Sequence, residues 1–294
     1  MQYVVVDLEW NNTYAKKTAG FINEIIEIGA VKLDEDFNNI DEFSYIIRSQ
    51  IGRKLRGSVK RLTNLTNDDI LAGLPFTKVF SLFRNWLGKI EDTVIITWGD
   101  SDIRVLLENY SYLNGIKVIP FLKNYCDLQR YYQRVNSSNP GRQTSLVDAA
   151  RECGIDTEHF AHHRALDDAR MTADIFEVIY DRERFPKEVL ECNEEFYGRL
   201  LYKAKIIKNI DSPLVDRKRL EHRCDSCGEL CKMTVPWKFS CQYFRAAFYC
   251  KNCDVTYSVR VRFKKLYDRV DYKKVVTVLD DSDTGEDERE GNEE

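Results

Sequence analysis

The sequence predicts an α/β protein: a mixed sheet flanked by helices, followed by a small C-terminal β module. Two observations carry the fold. Short Val/Ile-rich runs alternate with stretches of helical period through the first 180 residues. Two Cys-x2-Cys pairs, separated by 22 residues, then mark a cysteine-rich segment. Charge divides the chain further. Residues 216–279 hold fifteen Lys or Arg against seven Asp or Glu, a net +8, whereas residues 280–294 hold nine acids and one Arg, a net −8.

In chain order, residues 3–7 are an apolar Val-rich run, short enough for a central strand. Residues 24–33 (EIIEIGAVKL) and 42–48 (EFSYIIR) follow as strands, and the short polar gaps between them predict an antiparallel meander. The period then changes. Phe76, Val79, Phe80, Phe83 and Leu87 recur at helical spacing behind Pro75, a helix-start residue. Residues 93–97 (TVIIT) read as a buried strand, 101–110 as a helix, 116–119 as a strand and 127–135 as a helix. Residues 145–153 form a helix stopped by Gly154, and 164–180 a last long helix. Residues 1–180 therefore form one domain. Residues 181–221, with one or two helices around 189–208, read as a linker or brace, and residues 222–279 as a basic β module. The tail, 280–294, has almost nothing to bury and is expected to be disordered.

Composition excludes several classes. With 43% hydrophobic and 31% charged residues the chain reads as globular rather than disordered. No run approaches the roughly 18 apolar residues of a membrane span. The start, MQYVVVDLEW, lacks a basic opening and meets an acid after six positions, so no secretory signal and a cytoplasmic location are expected. The nine cysteines are then expected to be thiols or metal ligands rather than disulfides.

Three acidic motifs stand out. Asp7 and Glu9 lie two residues apart at the expected end of the first strand, on one face. They are either a solvated strand end or two carboxylates sharing a cation. Asp102 follows TVIIT-WGDS at a strand-to-helix junction, where it is either an N-cap or a further ligand. His162-His163-Arg-Ala-Leu-Asp167-Asp168 opens the last long helix. An Asp on a helix beside a His five residues upstream can supply a metal ligand and a general base, for which the imidazole pKa near 6.5 is suited.

Asp7-x-Glu9, Asp102 with Leu106 four residues on, and His163-x4-Asp168 resemble the motif set of the DEDDh 3′→5′ exonucleases, and EIIEIGAVKL resembles that family's second strand. The resemblance covers about residues 1–180 and extends to the small stand-alone members related to the sporulation-inhibitor and histone-mRNA-trimming groups. It implies a ribonuclease H-like fold and two Mg²⁺ or Mn²⁺ ions held by Asp7, Glu9, Asp102 and Asp168, with Asp7 bridging both ions and His163 as the base. It implies hydrolysis from the 3′ end of single-stranded nucleic acid, RNA favoured over DNA. Single-stranded DNA exonuclease and non-catalytic binding module are the alternatives. Trp10 departs from the family, where a small or aliphatic residue commonly follows the Glu; its ring is either a contact for the terminal base or a core aromatic.

Cys224-x2-Cys227 and Cys250-x2-Cys253 have the spacing of a zinc ribbon, with four thiolates for one structural Zn²⁺. His222, Cys231 and Cys241 are spare donors. After the second pair, Tyr257, Val259, Val261 and Phe263 alternate with Ser258, Arg260, Arg262 and Lys264. Together with Phe239, Tyr243, Phe244, Phe248 and Tyr249, this row predicts single-strand contacts through Arg260, Arg262 and Lys264. A solvated basic face and a docking surface for a protein partner are the other readings.

Overall fold

Val and Ile on both sides of the backbone make one long hairpin of the N-terminus. The computed structural model describes residues 1–136, 143–160 and 163–279. β1 (Gln2–Ala15) and β2 (Gly20–Leu33) pair antiparallel along their length, and β3 (Asn39–Ile46) adds to β2, giving the expected meander. The first strand does not stop at residue 7. Polar residues dominate from Glu9 onward, but β2 supplies backbone partners as far as Ala15, so Asp7 and Glu9 lie mid-strand. A bulge between Glu9 and Trp10 shifts the register there.

Two short helices that the sequence did not signal follow, α1 (Gly57–Thr63) and α2 (Asn67–Ala72). The second begins with a capping box between Thr66 and Asp69. Then come α3 (Phe76–Leu87), β4 (Thr93–Thr97), α4 (Ser101–Asn114), β5 (Asn124–Asp127), α5 (Leu128–Asn136), α6 (Leu146–Glu152) and α7 (Ala165–Ile179). β4 runs parallel to β1 and β5 parallel to β4.

The expected strand at 116–119 is a loop. Ile119 is buried, but Ile116 and Val118 are exposed. The Ile119 N–H donates to the Tyr197 hydroxyl (3.1 Å), which itself donates to the Ile119 carbonyl (3.2 Å). A side chain thus satisfies the backbone that a neighbouring strand would have satisfied. Tyr197 belongs to α8 (Glu194–Leu201), and β6 (Leu190–Glu191) pairs with β5. Residues 190–200 are therefore part of the first unit rather than a linker: Phe196, Tyr197 and Leu200 complete its core.

The sheet order is β3-β2-β1-β4-β5-β6. Period-2 geometry sends Val4, Val6 and Leu8 into a core beneath α3, α4 and α8, and Tyr3 and Val5 into a second core beneath α5, α6 and α7.

The second compact unit begins at Leu201. Its sheet runs β11 (Val270–Leu279), β10 (Val255–Lys265), β9 (Tyr243–Cys250), β8 (Lys232–Ser240), with β7 (Lys205–Ile206) beside the end of β10. The acidic tail lies outside the described residues. Among the described residues no helix is long and apolar enough to cross a membrane.

Candidate active site

β4 accompanies β1 only as far as Val5. Beyond that point this edge of β1 has no strand partner, and the Leu8 N–H is instead taken by Asp102 Oδ1 at 3.0 Å. Gly99, at φ +86°, allows the tight turn from β4 into α4 that delivers Asp102 to this place. Asp102 is 5% exposed and is not an N-cap: Asp100 occupies that position, without a side-chain capping bond, and pairs with Arg104. Asn109, also buried, ties α4 to β2 by donating to the Asn23 carbonyl and accepting from the Ile25 N–H.

Asp168 arrives from the other side. Gly29 lies opposite Asp7 in the β1–β2 register, and α7 begins directly on it. A Cβ at Gly29 would stand 2.1 Å from the Leu166 nitrogen, so only glycine lets the helix approach so closely. Glu9, His163 and Asp168 offer ligand atoms within 4.8 Å of one another. Asp167 points to Arg170, 2.9 Å away. His163 is exposed and sits at φ +63°, a left-handed conformation that few side chains adopt and that clusters at functional sites. His162 lies outside the described residues. Trp10 is half-buried against the core of the α3–α4 face, the side of β1 opposite to Tyr3 and Val5.

The carboxylates raise one another. Burial, then Asp102, Asp168, Glu9 and Glu27, hold the Asp7 carboxyl well above the usual range. Burial, then Asp168, Glu27 and Asp102, push Glu9 up to about 8 against the pull of Arg164. Burial pushes Asp102 up to about 7, although the Leu8 N–H works the other way and Asp168 adds to the rise. Three acids that bind protons this firmly, crowded by a fourth, Asp168, have the electrostatics of a cation site, and an all-oxygen donor set suits a hard divalent ion.

Two supporting acids escaped the sequence reading. Glu27, 1% exposed, receives Arg164 through Nε and Nη2, the latter at 2.7 Å, and so anchors the residue next to His163. Glu24 accepts from the Ser49 hydroxyl and from the N–H groups of Gln50, Ile51 and Gly52. That latch holds the loop carrying the exposed cations Arg53, Lys54 and Arg56, and Asn11, two residues after Glu9, bonds the Lys54 carbonyl and the Arg56 N–H. The signal was present: two acids inside EIIEIGAV, whose neighbours are all buried aliphatics.

Comparison with known proteins decides the family. The exonuclease family pattern matches residues 4–176, more than half of the chain. The chain belongs to the exonuclease family. Within it the domain groups with 3′→5′ exonucleases, and the fold agrees. A probable 3′-5′ exonuclease, KapD, of Bacillus subtilis is 31% identical over 183 residues, covering 62% of this chain and 86% of that protein. Human 3′-5′ exoribonuclease 1 is 27% identical over 161 residues, 53% of this chain and 46% of that protein. The nuclease domain of 3′hExo, described as a DEDDh family member bound to rAMP, superposes with a TM-score of 0.53 at 22% identity, over 66% of this chain and 96% of that one. The exonuclease domain thus spans most of the bacterial relative but under half of the human one. Its family implies divalent metal ions, which the donor set described above fits.

In the second unit, the Sγ atoms of Cys224, Cys227, Cys250 and Cys253 lie within 4.8 Å of one another, with Cys227 and Cys250 3.6 Å apart. Tetrahedral Zn²⁺ with bonds of about 2.3 Å needs Sγ···Sγ of about 3.8 Å. The residue after each pair, Gly228 at φ +73° and Asp254 at φ +53°, turns left-handed, so both loops fold back alike. The Tyr257 hydroxyl and the N–H groups of Cys227 and Ser226 hold the Cys224 thiol down at about 6, as suits a metal thiolate. Cys231 is buried nearby, His222 rests on the Tyr257 ring, and Cys241 is exposed on the β8–β9 turn; none belongs to the cluster.

Proposed function

We propose that the protein trims single-stranded RNA from the 3′ end, one nucleoside 5′-monophosphate at a time. The observation that carries this reading is the convergence of Glu9, His163 and Asp168, with Asp7 and Asp102 beside them, at the middle of β1. Asp7, Glu9, Asp102 and Asp168 would hold two divalent ions, Mg²⁺ or Mn²⁺. Such ions, when bound, stabilise the charge that develops on the attacking and leaving oxygens. His163 takes the proton of the attacking water. The water oxygen joins phosphorus, the P–O3′ bond breaks, and a proton ends on the 3′-oxygen of the shortened strand. Arg53, Lys54 and Arg56 supply positive charge beside a site that is otherwise acidic. The cysteine cluster would hold one structural Zn²⁺; four thiolates leave no open position for water.

RNA is favoured because the human relative is named an exoribonuclease and the 3′hExo domain was bound to rAMP. DNA is the second reading, since DNA polymerase III of the PolC type from Thermotoga petrophila is 27% identical over 175 residues, 59% of this chain and 11% of that protein. Matched 5′-labelled RNA and DNA oligonucleotides, incubated with Mg²⁺ or Mn²⁺, test the reading. A ladder shortening from the 3′ end on RNA, lost in Asp168→Asn, is expected. Faster shortening of DNA would move the assignment to DNA, and no shortening of either would overturn it.

A further inference from the structure

The second unit carries cations that its packing does not require. β9 and β10 alternate strictly: Phe244, Phe248, Tyr257, Val259, Val261 and Phe263 enter the core. Arg245, Arg260 and Arg262 point to the other side of the sheet. There the register sets Arg260 opposite Arg245, Arg245 opposite Lys238, and Arg262 opposite Lys273. Like charges directly across an antiparallel pair destabilise it. Among the described residues, none of these five cations has an acidic side chain within 4.0 Å. Asp271, opposite Lys264 on this face, is already held by Arg269 at 2.9 Å, and Asp254 accepts the Tyr249 hydroxyl at 2.8 Å. Moreover, Arg245 Nε is buried without a hydrogen-bond partner. A buried guanidinium N–H without an acceptor is a cost that an incoming oxyanion removes. The aromatics of this module split between the two sides: Phe244 and Phe248 are core, whereas Tyr243 and Tyr249 remain on the cationic side, with Arg262 5.2 Å from the Tyr243 ring centre.

We propose that this sheet face is a binding site for the phosphodiester backbone of a single strand, centred on Arg245 and separate from the carboxylate site. The proposal rests on the reading of the substrate as single-stranded nucleic acid. Along β10 the cations repeat about every 6.6 Å, and between strands about every 4.8 Å, a grid that a flexible chain of phosphates can follow. Arginine's planar fork matches phosphate oxygens bidentately. Tyr243 and Tyr249 offer ring faces to unpaired bases, which a duplex keeps stacked inside, so a single strand is preferred over a duplex.

The test uses the full chain with its zinc and without Mg²⁺ or Mn²⁺, so that nothing is cleaved. Binding of a 5′-fluorescein-labelled 20-nucleotide oligo-U is followed by anisotropy at several salt concentrations. The triple variant R245Q/R260Q/R262Q is expected to weaken binding about tenfold or more at low salt. It should also flatten the slope of log K against log salt by about 2, because each phosphate contact to a single strand contributes roughly 0.7. Lys251→Gln, on the turn between β9 and β10, should change neither. Wild-type affinity and slope in a triple variant that keeps its zinc would overturn the proposal. So would a poly-glutamate peptide that displaces the oligonucleotide more effectively than unlabelled oligo-U does, which would mark a surface for acidic proteins. If the triple variant loses zinc, K238Q/K273Q, on the two flanking strands, carries the same test with an expected slope change of about 1.4. Failure of the wild-type chain to cleave any strand when Mg²⁺ is added would overturn the exonuclease reading and leave this binding result standing.

Discussion

A carboxyl group buried, and then crowded by other carboxylates, keeps a proton that it would shed in water. Glu9 rises from 4.5 to about 8 and Asp102 from 3.8 to about 7, so between roughly pH 4 and 8 the folded protein binds more protons than the unfolded chain. The slope of unfolding free energy with pH then has a negative sign: these groups contribute stability that is present at low pH and lost as pH rises through their folded values. Without Mg²⁺ or Mn²⁺ the first unit should melt at lower temperature at pH 8.5 than at pH 6. Adding either ion should raise the midpoint most at pH 8.5, and thermal scans at the two pH values with and without the ion check this. An ion effect that is larger at pH 6 would mean that these carboxylates do not receive the cation. Glu9→Gln should abolish trimming yet raise the metal-free midpoint at pH 8.5, because it removes a repelling charge. Arg164 supplies the opposite case. Its loss leaves Glu27 buried and unpaired, and Arg164→Ala should cost about 2–3 kcal/mol in a denaturant titration. That lies below the figure for a wholly buried pair because the arginine side chain is 40% exposed.

At the scale of elements, the site depends on how closely α7 approaches β2. Ala165 and Ala169 are fully buried and Gly29 has no side chain, so the helix start can lie on the strand and hold Asp168 toward β1. In Gly29→Ala the new methyl would meet backbone rather than a movable side chain, and overpacking of this kind costs about 1–3 kcal/mol or more. We expect a lower melting midpoint together with loss of trimming, since any relief must shift Asp168. Wild-type activity in a folded Gly29→Ala protein would show that the helix position is not what aligns the site. The glycine is visible in EIIEIGAV, but its purpose is not, because the helix it admits lies 136 residues later in the chain. Separation in sequence, here 78 residues, likewise hid the role of Tyr197, whose hydroxyl turns the stretch 116–119 into a loop.

At the scale of the whole molecule, the chain forms two units with separate cores. The second is small and would take much of its stability from metal binding. Elemental analysis of protein purified without added metal should find about one Zn per chain. A strong chelator, or Cys224→Ser, should melt the second unit while the first keeps its own transition, seen as two separate steps in calorimetry. A single unchanged transition after zinc removal would show that the cysteine cluster does not support the fold.

Much of this was readable in one dimension. Strand and helix periods, the two cysteine pairs and the three acidic motifs are local patterns, and local patterns follow from side chains three, four or two residues apart. The alternation in β10 was equally plain, because one strand shows its own two faces. The tertiary structure decided what depends on elements distant in sequence. It placed Asp102 on the Leu8 N–H rather than at a helix cap, turned Asp167 to Arg170 while Asp168 meets Glu9 and His163, and joined residues 190–200 to the first sheet. It also aligned Arg245 and Lys238 with Arg260, which no single strand could show. Register between strands is set by the ladder and the buried face, so neighbours across a sheet are fixed only when the whole sheet forms.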